Sequence, residues 1–141
     1  MLTIAVDFDG TIVTHEYPRI GKDIPFAIDT LLKIQQDFQA CLILWTVREG
    51  KELDEAVEYC RVRGLEFFAV NNNYPEEKQG DRQPRKLKAD LFIDDRNLGG
   101  LPDWGVIYQM IASGNPLKPL ASAYQIEMPR KKGGLLNRLF G

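Results

Sequence analysis

Short runs of consecutive apolar residues alternate along the chain with longer stretches in which apolar residues recur every three or four positions. Runs of four or five apolar residues predict buried strands, and the periodic stretches predict helices. The predicted strands cover residues 2–6, 41–45, 67–70 and 91–93, and helix-start signals lie at Asp23 to Pro25, Gly50 and Pro102. This alternation predicts an α/β fold in which helices cover both faces of a parallel sheet.

Residues 1–114 are expected to form one doubly wound, Rossmann-like domain, since a chain of 141 residues fits a single hydrophobic core. Residues 115–141 lack a clear core pattern and predict an extended tail. The tail ends in a basic stretch, 129–141, that contains no acid. Disorder is the favoured interpretation of this stretch, and binding to an anionic membrane or a partner is the alternative.

The composition is ordinary for a soluble protein, with 44% hydrophobic and 27% charged residues. No apolar run approaches the roughly 20 residues that span a bilayer, and the first residues lack the basic start of a signal peptide. Cys41 and Cys60 do not form a metal-type pair and are expected to be reduced core residues. A cytoplasmic location is expected. Because the net charge of −2 includes the basic tail, the body of the chain is acidic, which argues against nucleic acid as a partner.

Aspartates or a threonine follow three of the four predicted strands. Asp7 and Asp9 follow the first strand, Thr46 follows the second, and Asp94 and Asp95 follow the fourth. Ligands of parallel α/β sheets bind outside the carboxyl ends of the strands. We therefore expect these side chains to meet in one crevice.

Four carboxylates in one crevice repel one another unless a cation lies among them. Oxygen ligands without histidine or cysteine favour Mg²⁺ over zinc, and Mg²⁺ commonly binds substrate phosphate as well. Lys86 or Lys88 would supply a fixed positive charge for a phosphate, and Thr46 a hydroxyl. In an extended segment Asp7 and Asp9 would point the same way, so that one acts as nucleophile and the other as general acid and base.

The segment from Asp7 to Thr11, which reads DFDGT, resembles the DxDGT signature of the haloacid dehalogenase superfamily phosphatases. Leu44-Trp45-Thr46 looks like the second motif of that family. Residues 86–90 and 93–95, which read KLKAD and IDD, are similar to its third and fourth motifs. The resemblance spans residues 2–95 in the expected order. The gaps at 10–23 and 47–85 hold no cap domain, so the chain resembles a small capless member.

The resemblance implies that Asp7 attacks phosphorus and becomes an aspartyl-phosphate, while Asp9 protonates the leaving group and then activates water. It also implies that magnesium binds the Asp7 carboxylate, the Asp9 backbone carbonyl and Asp94. Asp95 would support the metal shell.

For the phosphoryl group, the resemblance implies a hydrogen bond from Thr46 and charge neutralisation by Lys86, with Lys88 as the fallback. Arg48 is a further candidate substrate contact, and an ion pair with Glu52, four residues on, is the equal alternative.

The expected function is a magnesium-dependent phosphomonoester hydrolase for a phosphorylated substrate, with a small molecule favoured. A phosphomutase or phosphotransferase with the same nucleophile is the nearest alternative, and a catalytically silent binding module is another. A phospho-receiver domain is disfavoured, because Asn71 follows the third predicted strand where a receiver has its phosphorylated aspartate. The sequence does not indicate an oligomeric state.

Overall fold

The computed structural model of the chain describes residues 1–78 and 86–117. It contains the predicted alternation of four strands and three helices. The strands are β1 (Thr3–Val6), β2 (Cys41–Leu44), β3 (Ala69–Val70) and β4 (Leu91–Ile93), and the helices are α1 (Ala27–Phe38), α2 (Gly50–Val62) and α3 (Trp104–Ala112). The α/β prediction is confirmed. The third strand keeps only the last two of its predicted residues, and nearly all of the predicted tail lies outside the described residues.

The four strands form one parallel sheet in the order β3-β2-β1-β4. Val6, the last residue of β1, lies opposite Leu44 on one side and Ile93 on the other. These three strands therefore end at the same level of the sheet. The residues that follow them along the chain begin at a common edge, as the sequence predicts.

The strand order contains one reversal of direction. The chain moves outward from β1 to β2 to β3 and then returns past β1 to β4. Crossovers between parallel strands are right-handed, so the two outward crossovers lie on one face of the sheet and the return crossover lies on the other. The switch point of the sheet therefore lies between β1 and β4, where ligands of such sheets bind.

The elements that pack on the two faces of the sheet differ from the prediction of helices on both faces. The main core joins one face of the sheet, represented by Ile4 and Val6, to buried residues of all three described helices. On the opposite face, Ala5 and Ile43 pack with Leu87 from the return crossover. The prediction of helices on both faces is wrong for the described residues, because the described parts of the return crossover, 71–78 and 86–90, contain no helix.

None of the three described helices combines the length and the apolar character that crossing a bilayer requires.

Candidate active site

Three of the predicted carboxylates lie together at the switch point of the sheet. Oxygen atoms of Asp7, Asp94 and Asp95 all lie within 4.8 Å of one another, and each side chain is partly buried. The Asp7 N–H donates to the Ile93 carbonyl at 3.0 Å, which ties the start of one loop to the end of the neighbouring strand. The donor set consists of oxygen alone, as Mg²⁺ prefers, so these residues fit a hard divalent cation.

The ionisation of Asp7 reflects this crowding. Burial raises the pKa of Asp7 from 3.8 to about 7, with further contributions from the charge of Asp94 and a hydrogen bond with Asp95. Hydrogen bonds from the Phe8 backbone and the Thr11 side chain oppose the rise in the pKa. Near neutral pH the cluster therefore holds either a proton or an uncompensated charge, and a cation would relieve the repulsion.

Magnesium is expected to stabilise the protein more at about pH 8 than at about pH 5. The folded-state pKa of Asp7, about 7, lies above its ordinary value of 3.8, so the folded protein binds more protons between these values. Without metal, this group therefore makes the protein less stable as pH rises from about 4 to about 7. A bound cation replaces the proton and removes the loss. Melting temperatures with magnesium chloride and with potassium chloride of equal ionic strength would measure the effect, and equal shifts at both pH values would contradict it.

Thr11 joins two of the clustered carboxylates. Its buried hydroxyl donates to Asp7 Oδ2 at 3.2 Å and accepts the Asp95 N–H at 3.1 Å. Its carbonyl accepts the Trp104 indole N–H at 3.2 Å, which connects the site loop to α3. Thr11 was not among the predicted site residues, although its place in the DxDGT segment was the available signal.

Gly10 makes a close approach to Asp95. Its φ of +84° lies in the left-handed region, and a β-carbon on it would collide with the Asp95 carboxylate. Replacing Gly10 with alanine is therefore expected to cost about 1–2 kcal/mol for the backbone and roughly 1 kcal/mol or more for the collision. Gly64→Ala is the matched control, because its φ is +87° and open space surrounds it. Urea unfolding measures the free energy of unfolding of both variants, and the difference between them isolates the collision with Asp95. If the two variants lose equal stability, the Asp95 side chain moves aside at no energetic cost.

Asp9 does not join the acidic cluster. The strand β1 ends at Val6, and the Phe8 carbonyl then accepts N–H groups from Thr11 and Ile12, so the backbone turns. This turn begins only at Asp9, so the prediction that Asp7 and Asp9 point the same way in an extended segment stays a prediction. The Asp9 carboxylate, 7% exposed, accepts the Nε–H and an Nη–H of Arg48, both at 2.7 Å.

Arg48 is buried with all of its hydrogen-bond donors in use. Besides Asp9, its guanidinium donates to the backbone carbonyls of Pro18, Arg19 and Glu52 at 3.0, 2.8 and 3.3 Å. The five N–H groups of an arginine are thereby satisfied. Hydrogen bonding to Asp9 is the main factor that raises the pKa of Arg48. This arrangement contradicts both sequence interpretations, since Arg48 faces no open substrate site and contacts the carbonyl rather than the carboxylate of Glu52.

The Arg48 guanidinium also lies close to two aromatic rings. Its central carbon is 5.1 Å from the ring centroid of Phe8 and 5.1 Å from that of Tyr17. Such contacts stabilise a cation most where water is excluded. Together with the carbonyl contacts, they attach residues 17–19 to the loop that follows β1.

Thr46 follows β2 by two residues and is partly buried. Its N–H donates to Asn71 Oδ1 at 2.8 Å, and its Oγ1 accepts the Arg48 N–H at 3.1 Å. These bonds fix the loop after β2 beside the loop after β1. The Thr46 hydroxyl proton is not used in either bond.

The two candidate lysines lie on the return crossover. Lys86 is exposed, and its Nζ lies 4.9 Å from the ring centroid of Phe92 in β4. Lys88 is also exposed, and its N–H donates to Asn73 Oδ1 at 2.7 Å. The described contacts of Lys86 involve Phe92 rather than the carboxylates, so the choice between the two lysines stays a prediction.

The fold and sequence are similar to those of a solved structure, a conserved protein from Bacteroides thetaiotaomicron. The two chains share 64% sequence identity with a TM-score of 0.76, over 87% of this chain and 97% of that one. No protein-family model and no curated protein matches the sequence.

Proposed function

The chain belongs to the family of that conserved Bacteroides thetaiotaomicron protein, and we propose that it is a magnesium-dependent phosphomonoester hydrolase acting through an aspartyl-phosphate. The observation that carries the proposal is the cluster of Asp7, Asp94 and Asp95 at the switch point. Under this proposal the family is a capless branch of the haloacid dehalogenase superfamily.

In the proposed reaction, an oxygen of the Asp7 carboxylate attacks phosphorus while the bond from phosphorus to the leaving group breaks. Water then hydrolyses the acyl phosphate and restores the carboxylate. Thr11 supports this role of Asp7, because its hydroxyl contacts one carboxylate oxygen and fixes the plane of the side chain. The raised pKa of Asp7 supports it too, since such shifts are frequent at functional sites.

Magnesium would be held by the Asp7 carboxylate, the Asp9 backbone carbonyl and Asp94, with Asp95 in support. When bound, it would neutralise the negative charge of the carboxylates and of the incoming phosphate. The Thr46 hydroxyl and Lys86, or Lys88 in its place, would contact the phosphoryl oxygens. Proton transfer by Asp9 would require its side chain to leave Arg48.

The test is a panel of phosphorylated metabolites incubated with the protein and magnesium chloride, with release of inorganic phosphate as the readout. We expect release that depends on magnesium and is abolished by a chelator. Asp7→Asn serves as the control for contaminating phosphatases. If no compound is hydrolysed faster than in this control, the proposal fails. Phosphate that moves only to a second substrate would instead identify a phosphotransferase.

A further inference from the structure

Asn71 directly follows the edge strand β3, and its side chain contacts the loop that carries Thr46. Resting on the proposed function, we propose that Asn71 is a positioning residue, which holds the Thr46 hydroxyl where it can donate to a phosphoryl oxygen. In this role Asn71 does not touch the substrate. It acts through the backbone of Thr46, so its removal weakens phosphate binding only while the Thr46 hydroxyl is present.

The backbone leaves the sheet at Asn71. Its N–H still donates to the Leu44 carbonyl at 2.7 Å, as a residue in a parallel ladder does. Its φ of 55° lies in the left-handed region, so the chain departs from the extended conformation at this residue. Asparagine is one of the few residues with a side chain that adopts this region readily. The residue type therefore suits the point at which β3 ends.

The side-chain amide of Asn71 continues the ladder where the backbone leaves it. In a parallel ladder, a residue that donates its N–H to one position accepts, at its own carbonyl, the N–H two positions further along the partner strand. For Asn71 that donor is the Thr46 N–H, which bonds to the side-chain Oδ1 at 2.8 Å. The amide oxygen thus takes the place of a backbone carbonyl, and one residue holds both Leu44 and Thr46.

Thr46 lies beyond the end of β2, so its position depends on contacts made by the loop. The preceding Trp45 N–H donates to the carbonyl of Val6, the last residue of β1, at 2.8 Å. The Thr46 N–H bonds on the opposite side, to Asn71, and the Thr46 hydroxyl oxygen accepts the Arg48 N–H at 3.1 Å. These two bonds fix the backbone and the hydroxyl oxygen of Thr46, and neither uses the hydroxyl hydrogen.

The placement of such a donor matters for phosphoryl transfer. A hydroxyl assists the reaction only if its hydrogen meets an oxygen on which negative charge develops. A displacement of about 1 Å is enough to lower a rate by roughly 10²-fold. The neutral amide of Asn71 provides the acceptor without adding another negative charge to the edge of the sheet that holds the acidic cluster. An asparagine at this position therefore suits an anionic substrate better than an aspartate.

A double-mutant cycle tests whether Asn71 acts through Thr46. Asn71→Gly removes the amide oxygen but tolerates the left-handed backbone, and Thr46→Ala removes the hydroxyl. Calorimetric titration gives Kd for inorganic phosphate with magnesium chloride, and kcat/KM is measured for para-nitrophenyl phosphate. We expect each single variant to weaken phosphate binding by about tenfold or more, and the double variant to be no weaker than Thr46→Ala. An unchanged Kd in Asn71→Gly, or losses that multiply in the double variant, would overturn the inference.

The two readouts separate this inference from the proposed function. Coupling between Asn71 and Thr46 in the Kd for phosphate, without hydrolysis of any ester, supports the positioning role at a phosphate-binding site and overturns the hydrolase. Hydrolysis with losses that multiply supports the hydrolase and overturns the positioning role. A wild-type protein that neither binds phosphate nor hydrolyses an ester contradicts both. Asn115→Gly is the matched control, because Asn115 is exposed and follows α3, and it is expected to leave Kd unchanged.

A spectroscopic measurement decides the matter if Asn71→Gly does not fold. Asn71→Asp keeps an acceptor oxygen and also tolerates the left-handed region. The amide resonance of Thr46 in a two-dimensional NMR spectrum is expected to move as the introduced carboxyl group ionises, because a carboxylate accepts a stronger hydrogen bond than a neutral group does. A Thr46 resonance that ignores this titration would show that no bond joins the two residues and would overturn the inference.

Discussion

Under the proposed function, replacing Asp7 with asparagine is expected to lower phosphate release by about 10⁴-fold or more while raising the melting temperature in the absence of metal. Activity falls because the amide cannot attack phosphorus. Stability rises at about pH 8 because burial and the charge of Asp94 disfavour the ionised form of Asp7, and the neutral amide removes that penalty. Opposite changes in activity and stability are the signature of a functional carboxylate.

Steady-state phosphate release and thermal unfolding by circular dichroism would measure both effects on the same preparation. Asp54→Asn is the matched control, since Asp54 is an exposed acid on α2. We expect the control to keep activity and to change the melting temperature only slightly. An Asp7→Asn protein that still releases phosphate at a comparable rate would exclude Asp7 as the nucleophile. A lower melting temperature would show that Asp7 is needed for folding rather than strained by its surroundings.

Arg48→Met is expected to produce the largest loss of stability among single substitutions around the site, about 3–5 kcal/mol. The substitution leaves the buried Asp9 carboxylate without its partner and removes donors from three carbonyl oxygens. For a domain of this size the melting temperature would fall by more than about 10 °C. Chemical unfolding with urea measures the free energy directly.

Arg61→Met provides a control with the same bond geometry in a different environment. Arg61 contacts Glu58 through the same pair of nitrogens, at 2.7 Å each. Both of those side chains are 56% exposed, whereas Arg48 is fully buried and Asp9 is 7% exposed. Exposed pairs contribute about 0–1 kcal/mol, so the control should lose little. Equal losses in the two variants would show that burial does not set the value of the Arg48 pair.

The parts of the molecule that were predictable from sequence depend on local pattern and on sheet geometry. Contiguous apolar residues identify β1, β2 and β4, and helical periodicity identifies α1 and α2. The meeting of Asp7 with Asp94 and Asp95 was predictable because parallel strands end at a common edge. These inferences need no knowledge of loop conformation.

The position of Asp9 was not predictable, because it depends on the conformation of loops. The Asp9 carboxylate accepts its hydrogen bonds from Arg48, and Arg48 is fixed by carbonyls of residues about 30 positions earlier. A sequence pattern with a helical or strand period carries no information on such contacts. The sequence also did not predict that all three described helices cover the same face of the sheet. That arrangement depends on the order of the strands in the sheet, which the pattern within each strand does not reveal.

Because β1, β2 and β4 end side by side, the candidate site is expected to unfold together with the centre of the sheet. The Asp7 N–H is hydrogen-bonded to Ile93 and the Trp45 N–H to Val6, so Asp7 continues directly from the middle of the ladder. Central ladders of this kind open only with global unfolding. The amide hydrogens beside Asp7 should therefore be among the slowest to exchange with solvent, and Asp7 should keep its place until the whole domain unfolds cooperatively.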